Sequence, residues 1–579
     1  ARRARRARSD ADGRRLGTRP GRGIQPQVKA AAIARLGAAL LLALAALTPA
    51  AAGDQDIIAR GAEIYLHGHL ADGGLLEGPR EEGLPPAAGS AAACVNCHRH
   101  SGLGSTEGRT RIPPITGHYL MPPRGRGDKA ELRFVDNMRL SRTQTYTDET
   151  IARAIREGTD SDGRAMSALM PRYAIGDADM AALIAYLKSL DRSDLPGVTG
   201  TVLHFATVVT PDADPVRREA TLAVLDQYVR DKNDKAFLLG PKASIKPSDR
   251  TMWSKSMFHV PRRWELHVWQ LGGPPSTWQA QLEQFFARQP VLAVLSGVGG
   301  NDWTPVHRFC ERNAVACLFP NVDLPVDQPE DFYSLYFSGG LELEARQIAA
   351  RIVADAADRH PVVSQVYRAG STGEGAAAAL ATALAARGIL VRTEAVASDS
   401  GARGLEDALR NAAAADALVL WLKPSDIAVL GAAPAQPRRI YLSGRLGGFE
   451  QMPLPGAWRS KSLVAFAVDL PERRRVRLEY ALRWLSQRQV PITDLPVQAD
   501  TWLACSLLTE ALNELVDAFI PEYLIERIQD MLEHRLITGY YPHLALGEHQ
   551  RFASKGGFVV RFAEDSGTKV VPVGDWFVP

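Results

Sequence analysis

Cysteine is scarce in this sequence, with five in 579 residues. Cys94 and Cys97 are separated by two residues, and Cys310, Cys317 and Cys505 follow more than two hundred residues later. A zinc knuckle needs a second ligand pair nearby, so this spacing argues against one. A redox dithiol is also disfavoured, because an Ala/Gly loop precedes the first pair and Gly-rich coil follows it, whereas such a dithiol is expected in a βαβ setting.

Several catalytic and nucleotide-binding signatures are missing as well. The sequence contains no G-x-S-x-G and no H-E-x-x-H, the signatures of common hydrolases and zinc proteases. The glycines at 297–300 lack the third glycine of a dinucleotide fingerprint and the Lys-Ser/Thr of a Walker loop. The chain is therefore expected to be a carrier or a binder rather than a catalyst.

Excess positive charge is confined to the N-terminus. The net charge is +3, but residues 1–35 carry eleven Arg or Lys and two Asp. The remainder is therefore mildly acidic, and no nucleic-acid partner is expected.

Long apolar runs are rare too. Residues 36–47 form an apolar run after Arg35, and small residues follow it up to Gly53. This pattern predicts a secretory signal in residues 1–53, cleaved after Ala52, and hence a periplasmic protein. An uncleaved N-terminal anchor is the alternative, although the run is short for a membrane span. No stable span is expected elsewhere.

One motif stands out among the residues that are present. His98 follows Cys97 directly, so residues 94–98 read C-x-x-C-H, the attachment site of c-type haem. Each thiol adds to one haem vinyl group, and the adjacent imidazole ligates the iron. The motif predicts one covalent haem on Cys94 and Cys97, with His98 as proximal ligand.

The surrounding residues resemble a class I cytochrome c domain, expected over 54–195. Helical patterns cover 56–65, 151–158 and 178–190, and Pro113–Gly117 resembles the loop after the haem motif. The resemblance implies an all-α domain in which the first helix crosses the last, so that Gly61 and Tyr65 meet Leu183 and Tyr186.

The resemblance also suggests the sixth iron ligand. Met170 precedes Pro171 as the axial methionine of the family precedes a proline, and Met166 is the main alternative. Weaker candidates are Met121, Met138, His100 and His118. A methionine ligand would fill the last position on the iron, so the domain would carry electrons rather than activate a substrate.

Strand and helix patterns alternate after a short polar linker. Buried-strand runs such as 202–209, 290–295 and 417–422 are separated by helical segments, which predicts parallel α/β sheets. A late strand at 557–562 suggests two lobes between which the chain crosses. The segment 196–579 resembles the type I periplasmic ligand-binding proteins of branched-chain amino acid transport, on the evidence of 335–338, 367–373 and Asp416.

That resemblance implies a ligand cleft at the carboxyl ends of the strands. The candidate residues are Ser296, Asn301, Tyr336, Ser371 and Thr372. Each of them has a structural alternative, namely turn formation or packing. The residues show no match to the amino-acid clamp of the family, so the solute is not predicted.

The sequence thus predicts a multidomain chain, an all-α cytochrome c domain followed by a two-lobed α/β domain. We expect an exported electron carrier with redox partner proteins, whose second domain recognises a small solute or a partner. The alternatives are a haem subunit of a periplasmic oxidoreductase and a solute-binding protein with an accessory haem. Whether Cys310 and Cys317 form a disulfide is left open.

Overall fold

A computed structural model describes residues 48–79, 86–107, 110–121, 144–190, 195–238, 262–356, 360–431, 438–515, 518–547, 549–564 and 566–579. The Arg-rich leader, the apolar run, Met138 and the linker residues 191–194 lie outside these ranges. The chain forms two compact units. The first comprises Ala1–Cys94 and Leu120–Ser189, and the second comprises Val95–Tyr119 and Leu190–Pro579.

Helices predominate in the described residues before 190, with two short antiparallel strand pairs, β1–β2 and β3–β4. The elements are α1 Thr48–His67, β1 Glu77–Gly78, β2 Ala87–Ala88, α2 Val95–His98, β3 Thr106–Glu107, β4 Thr110–Arg111, α3 Gly117–Leu120, α4 Asp148–Glu157 and α5 Asp177–Ser189. The three predicted helices are thus found as α1, α4 and α5. Thr147 and Thr150 form a capping box at the start of α4, and Gly158 ends it in the left-handed conformation.

The core of the first unit is the crossing of α1 and α5. A Cβ atom on Gly61 would lie 2.1 Å from the carbonyl oxygen of Ala182 and 2.7 Å from Cβ of Tyr186, so only glycine permits this approach. Tyr65 is fully buried, and its ring centroid lies 5.1 Å from that of Tyr186. The crossing predicted from the sequence is therefore confirmed.

The second unit contains two large sheets. The first has six parallel strands in the order β15-β9-β8-β7-β5-β6. Its strands and the helices between them are β5 Val202–Val209, α6 Pro215–Leu238, β6 Arg263–Gln270, α7 Trp278–Arg288, β7 Ala293–Leu295, α8 Thr304–Arg312, β8 Ala316–Leu318 and β9 Ser334–Ser338, and β15 joins them late in the chain as Phe552–Ser554.

The second sheet has the order β11-β10-β12-β13-β14-β16-β17, in which β16 and β17 are antiparallel to their neighbours. Its elements are α9 Gly340–Ala356, β10 Val363–Arg368, α10 Thr372–Ala385, β11 Val391–Val396, α11 Gly401–Asn411, β12 Ala417–Trp421, α12 Pro424–Ile427, β13 Arg439–Ser443, α13 Gly444–Gly447, α14 Gly456–Arg459, β14 Ser462–Phe466, β16 Phe558–Phe562 and β17 Val570–Pro572. Between β14 and β15 the chain forms α15 Pro471–Gln487, α16 Leu495–Leu515 and α17 Pro521–Glu533.

The two sheets explain why the sequence has short, continuous apolar runs. Every residue of β7, β8 and β12 is buried, as expected where helices cover both faces of a parallel sheet. In the chain β15 follows strands β10–β14 of the second sheet, yet it pairs in the first sheet. The chain therefore crosses between the sheets more than once. The predicted two-lobed α/β fold is confirmed.

None of the helices in the described part of the chain combines the length and the apolar character needed to cross a membrane.

Candidate functional site

The C-x-x-C-H motif places a buried imidazole beside two accessible thiols. Cys94 is partly buried and Cys97 is exposed, whereas His98, at the end of α2, is only 8% exposed. Nδ1 of His98 lies 3.0 Å from the carbonyl oxygen of Pro113. A carbonyl only accepts, so Nδ1 carries the proton and Nε2 keeps its lone pair for a metal.

The surroundings of His98 also keep the ring neutral. Burial lowers the pKa of His98 to about 4, and the hydrogen bond to Pro113 opposes this shift only in part. A neutral imidazole is the form that ligates iron. The loop that supplies the Pro113 carbonyl is the one that the cytochrome resemblance identified.

The turn after His98 is held by backbone contacts. The N–H of Gly104 donates to the carbonyl of His98 at 3.1 Å, and Oγ of Ser105 donates to the carbonyl of Cys97 at 3.1 Å. Gly104 has a φ of +77°, and a Cβ atom there would lie 2.1 Å from the carbonyl oxygen of Ile112. The loop can therefore fold back toward Pro113 only with glycine at this position.

The segment Val95–Tyr119, here called the motif segment, is bonded to α17. The backbone N–H and Oγ of Ser101 donate to the two carboxylate oxygens of Glu526 at 2.9 and 2.6 Å, and this group is buried. Arg99 pairs with Asp530 at 3.3 Å. The motif segment thus belongs to the same compact unit as the two sheets.

His100 of the motif segment has an aromatic partner. The imidazole of His100 stacks on the ring of Phe332, and the two ring centroids are 3.8 Å apart. The side chain of His118, the other histidine considered as an axial ligand, lies outside the described residues.

The methionine loop in the first unit is shaped by Arg172. Its guanidinium donates to the carbonyls of Met166 and Ser167, both at 3.3 Å, and to that of Met170. Both methionines are partly buried, as is the weaker candidate Met121 in the same unit. Sequence reasoning missed Arg172, although it directly follows the Met170-Pro171 pair.

Tyr173 fixes the end of the same loop. Its hydroxyl donates to the carbonyl of Ala92 at 2.9 Å in a buried contact. Ala92 lies two residues before Cys94, so the methionine loop is tied to the residues that lead into the motif.

The five predicted cleft residues have different environments. Asn301 is exposed, and its side-chain amide donates to the carbonyl of Gly370 at 2.6 Å, so the structure brings Asn301 close to Ser371. Ser371 caps α10 by accepting from the N–H of Gly373. Thr372 is 5% exposed, and its Oγ1 has no hydrogen-bond partner among the described residues.

Ser296 and Tyr336 are buried in the first lobe. Oγ of Ser296 lies in a polar group with Asn321 and Thr501. Tyr336 packs in the core of the first sheet, and its hydroxyl lies 3.0 Å from Nδ1 of His307. The surroundings of Ser296 and Tyr336 therefore agree with the structural alternative given for the candidates, in which the side chain packs in the fold.

Charged side chains that the sequence did not single out connect elements of the two lobes. Asp323, which follows β8, pairs with Arg217 of α6 at 2.8 Å and with Arg445 of α13 at 2.9 Å. Burial alone would raise the pKa of Asp323, but the two guanidinium groups outweigh it and lower the pKa to about 2. Asp323 is therefore ionised and fully paired.

A buried glutamate completes this group on the second lobe. The carboxylate of Glu344 accepts from the N–H of Arg445 at 2.9 Å and from Oγ of Ser443. Burial raises the pKa of Glu344 to about 7, opposed by these two hydrogen bonds. No signal in the sequence predicts this arrangement, because its members are far apart in the chain.

The three remaining cysteines are buried and free. Burial raises the pKa of the Cys310 thiol well above its usual value, and the neighbouring thiol of Cys317 adds to the shift. Cys505 lies in α16 among core residues.

Comparison with known proteins reproduces both expected resemblances. Residues 87–191 match the cytochrome c family model. Similar solved structures include a fatty acid ABC transporter substrate-binding protein from Thermomonospora curvata, with 15% identity, a TM-score of 0.46, and coverage of 67% of this chain and 95% of that one.

Two further structures cover a similar share of the chain. A substrate-binding periplasmic protein from Ralstonia solanacearum has 12% identity and a TM-score of 0.47, covering 64% of this chain and 99% of that one. A leucine-binding protein from Thermotoga maritima has 13% identity and a TM-score of 0.43, covering 65% and 99%. The search of curated proteins found no significant match. The family match is thus confined to residues 87–191, and the three solved structures are named as substrate-binding or leucine-binding proteins.

Proposed function

We propose that this chain is an exported c-type cytochrome that transfers electrons through one covalently bound haem, and that its two-lobed unit recognises a ligand or a partner. The observation that carries the proposal is the state of His98 within the segment that matches cytochrome c. Its ring is buried, and the hydrogen bond to the carbonyl of Pro113 fixes its tautomer. When bound, a haem c supplies a one-electron iron couple.

The donor set fits haem c. Cys94 and Cys97 supply two thiols at the spacing that thioether attachment requires, and Nε2 of His98 supplies the proximal ligand. The residues around the motif would form an all-α cytochrome core built on α1, α4 and α5. In this proposal the domain boundaries are 54–195 and 196–579, with residues 1–53 as leader and signal.

Met170 is proposed as the distal ligand, with Met166 as the alternative. Arg172 binds the backbone carbonyls of both residues, so it fixes the course of the loop without using either sulfur atom. A thioether in the sixth position would keep substrates from the iron, which favours electron transfer over catalysis.

Location and partners follow from the same chemistry. C-type haem is attached outside the cytoplasmic membrane in bacteria, so a periplasmic location is proposed, with a redox protein as the electron partner. The bonds between Ser101 and Glu526 support a role for the two-lobed unit in positioning the motif segment. We propose that Asn301 and Ser371 face the ligand.

Haem content tests the proposal directly. Full-length protein from a host able to mature c-type cytochromes should carry one haem per chain, covalently bound and stainable after denaturing electrophoresis. Replacing Cys94 and Cys97 together by alanine should abolish the stain, whereas Cys505→Ala should leave it unchanged. Folded wild-type protein without porphyrin absorbance would refute the proposal.

The axial ligand is tested on the same material. Met170→Ala should abolish the thioether-sensitive band at the red edge of the oxidised spectrum and lower the reduction potential, because the weak, soft ligand is lost. Met166→Ala is the matched control and should retain the band. The opposite result would assign Met166 instead.

A further inference from the structure

Three side chains of types that can bind metals lie together on the first sheet, and none of them belongs to the site described above. His204 lies on β5, and Glu265 and His267 lie on β6. In the parallel register His204 is opposite Glu265, and Ala206 is opposite His267. Paired positions of neighbouring strands point to the same face of a sheet, so the three side chains share one face.

Their donor atoms lie within 4.8 Å of one another. Nδ1 of His204 lies 3.1 Å from Nε2 of His267, within hydrogen-bond distance, and 3.8 Å from a carboxylate oxygen of Glu265. Ligands bound at about 2.0–2.2 Å in a tetrahedral arrangement lie about 3.3 Å apart. These two separations bracket this value, and the third pair of donor atoms lies within 4.8 Å. Small side-chain movements would therefore allow a cation to replace the proton between the two imidazoles and bind all three atoms.

The composition and position of the cluster suit a transition metal. Two imidazoles and one carboxylate form a donor set known from zinc sites that keep an open position. Strand β6 is the outer strand of its sheet, and the side chain of Glu265 is 58% exposed, against 13% for His204. A metal can therefore enter from solvent, and a water or an external ligand can complete its coordination.

We propose that His204, Glu265 and His267 bind a divalent first-row transition-metal cation in the first lobe. Zn²⁺ is the appropriate probe, because it has no redox chemistry and so cannot exchange electrons with a haem in the same chain.

A second described cluster provides an internal control. His307, Glu311 and Asp331 also bring donor atoms together. However, both nitrogens of His307 already have partners, Tyr336 at 3.0 Å and Asp331 at 2.8 Å. One carboxylate oxygen of Glu311 accepts from two backbone N–H groups. Oε1 of Glu311 is buried without a hydrogen-bond partner among the described residues. However, the network lines a cavity of about 320 Å³ with Arg308 and Arg312, whose positive charge disfavours a cation.

Zinc titration of the full-length, haem-loaded protein tests the proposal. The protein is treated with EDTA, dialysed into metal-free buffer at pH 7.5 and titrated with ZnCl₂ in a calorimeter. We expect one tight equivalent per chain. His267→Gln and Glu265→Gln should each weaken it by about tenfold or more, since even outer-shell partners of metal ligands contribute about 10- to 100-fold, and Glu311→Gln should leave it unchanged.

The variants separate loss of a ligand from loss of the fold. Glu265 is exposed, so Glu265→Gln should keep the melting temperature of the metal-free protein, and only the increase on adding Zn²⁺ should shrink. If His267→Gln is unstable, Glu265→Gln decides the result. The proposal is overturned if wild type binds no zinc, if Glu265→Gln binds as wild type does, or if the equivalent is lost in Glu311→Gln.

Discussion

The carboxyl group of Glu526 shows how one buried side chain makes stability depend on pH. Glu526 is 3% exposed. Burial raises its pKa to about 8, although the two hydrogen bonds from Ser101 oppose the shift. Between its ordinary value of about 4.5 and about 8, the folded chain therefore holds a proton that the unfolded chain releases. Stability must fall as the pH rises through this window, because the unfolded state binds fewer protons there.

The first prediction concerns Glu526→Gln. The neutral amide removes the titration, so the variant should lose less stability than wild type between pH 5 and pH 8. One proton changes the free energy of unfolding by at most about 1.4 kcal/mol per pH unit. Denaturant unfolding at several pH values measures the two slopes. Glu533→Gln, an exposed glutamate of the same helix, is the control, and equal slopes for wild type and Glu526→Gln would contradict the prediction.

Local spacing accounts for what could be predicted at single residues. The haem motif lies within five consecutive residues, Cys94 to His98, so it can be recognised without knowing the fold. The pairing of Ser101 with Glu526 spans 425 residues. Helical periodicity indicates which face of α17 is buried, but it does not say which segment covers that face.

The crossing of α1 and α5 in the first unit depends on glycine at position 61, which has no side chain. The second prediction is that Gly61→Ala lowers the free energy of unfolding by about 1–3 kcal/mol, as overpacked sites do. The reason is that the new Cβ atom would overlap backbone atoms of α5, which cannot move aside as a side-chain tip would. Thermal unfolding followed by circular dichroism measures the loss.

Gly176 provides the matched control for that substitution. A Cβ atom there meets nothing within 4 Å, so Gly176→Ala should cost less than Gly61→Ala, about 1 kcal/mol at most, because alanine is only a poorer N-cap for α5. If the two variants unfold alike, α1 and α5 do not cross as described.

Elements were predicted better than the contacts between them. Apolar runs bounded by turns identified strands such as β7 and β12, and capping residues identified α4, because these signals are local. The cluster of His204, Glu265 and His267 could not be found in this way. Its members lie on two strands, and a sequence does not give the register between strands that are 53 residues apart.

At the scale of the whole second unit, a buried ionic group joins the two lobes. Asp323 and Arg217 belong to the first lobe and Arg445 to the second, and Arg445 also donates to the carbonyl of Val322 at 3.0 Å. Any movement that opens the space between the two sheets must break or replace these contacts. The group therefore holds the lobes together until a competing set of contacts forms.

The last prediction follows from this arrangement. Arg445→Met should destabilise the protein by about 3 kcal/mol, because Asp323 keeps only Arg217 and a buried charge loses a partner. Asp323→Asn alone should also destabilise, but the double variant should lose less than the sum of the two, with a coupling energy of about 0.5–3 kcal/mol. Arg483→Met, which breaks an exposed pair with Glu479, should cost less than about 1 kcal/mol. Strictly additive losses at Arg445 and Asp323 would mean that the two charges do not act as one contact between the lobes.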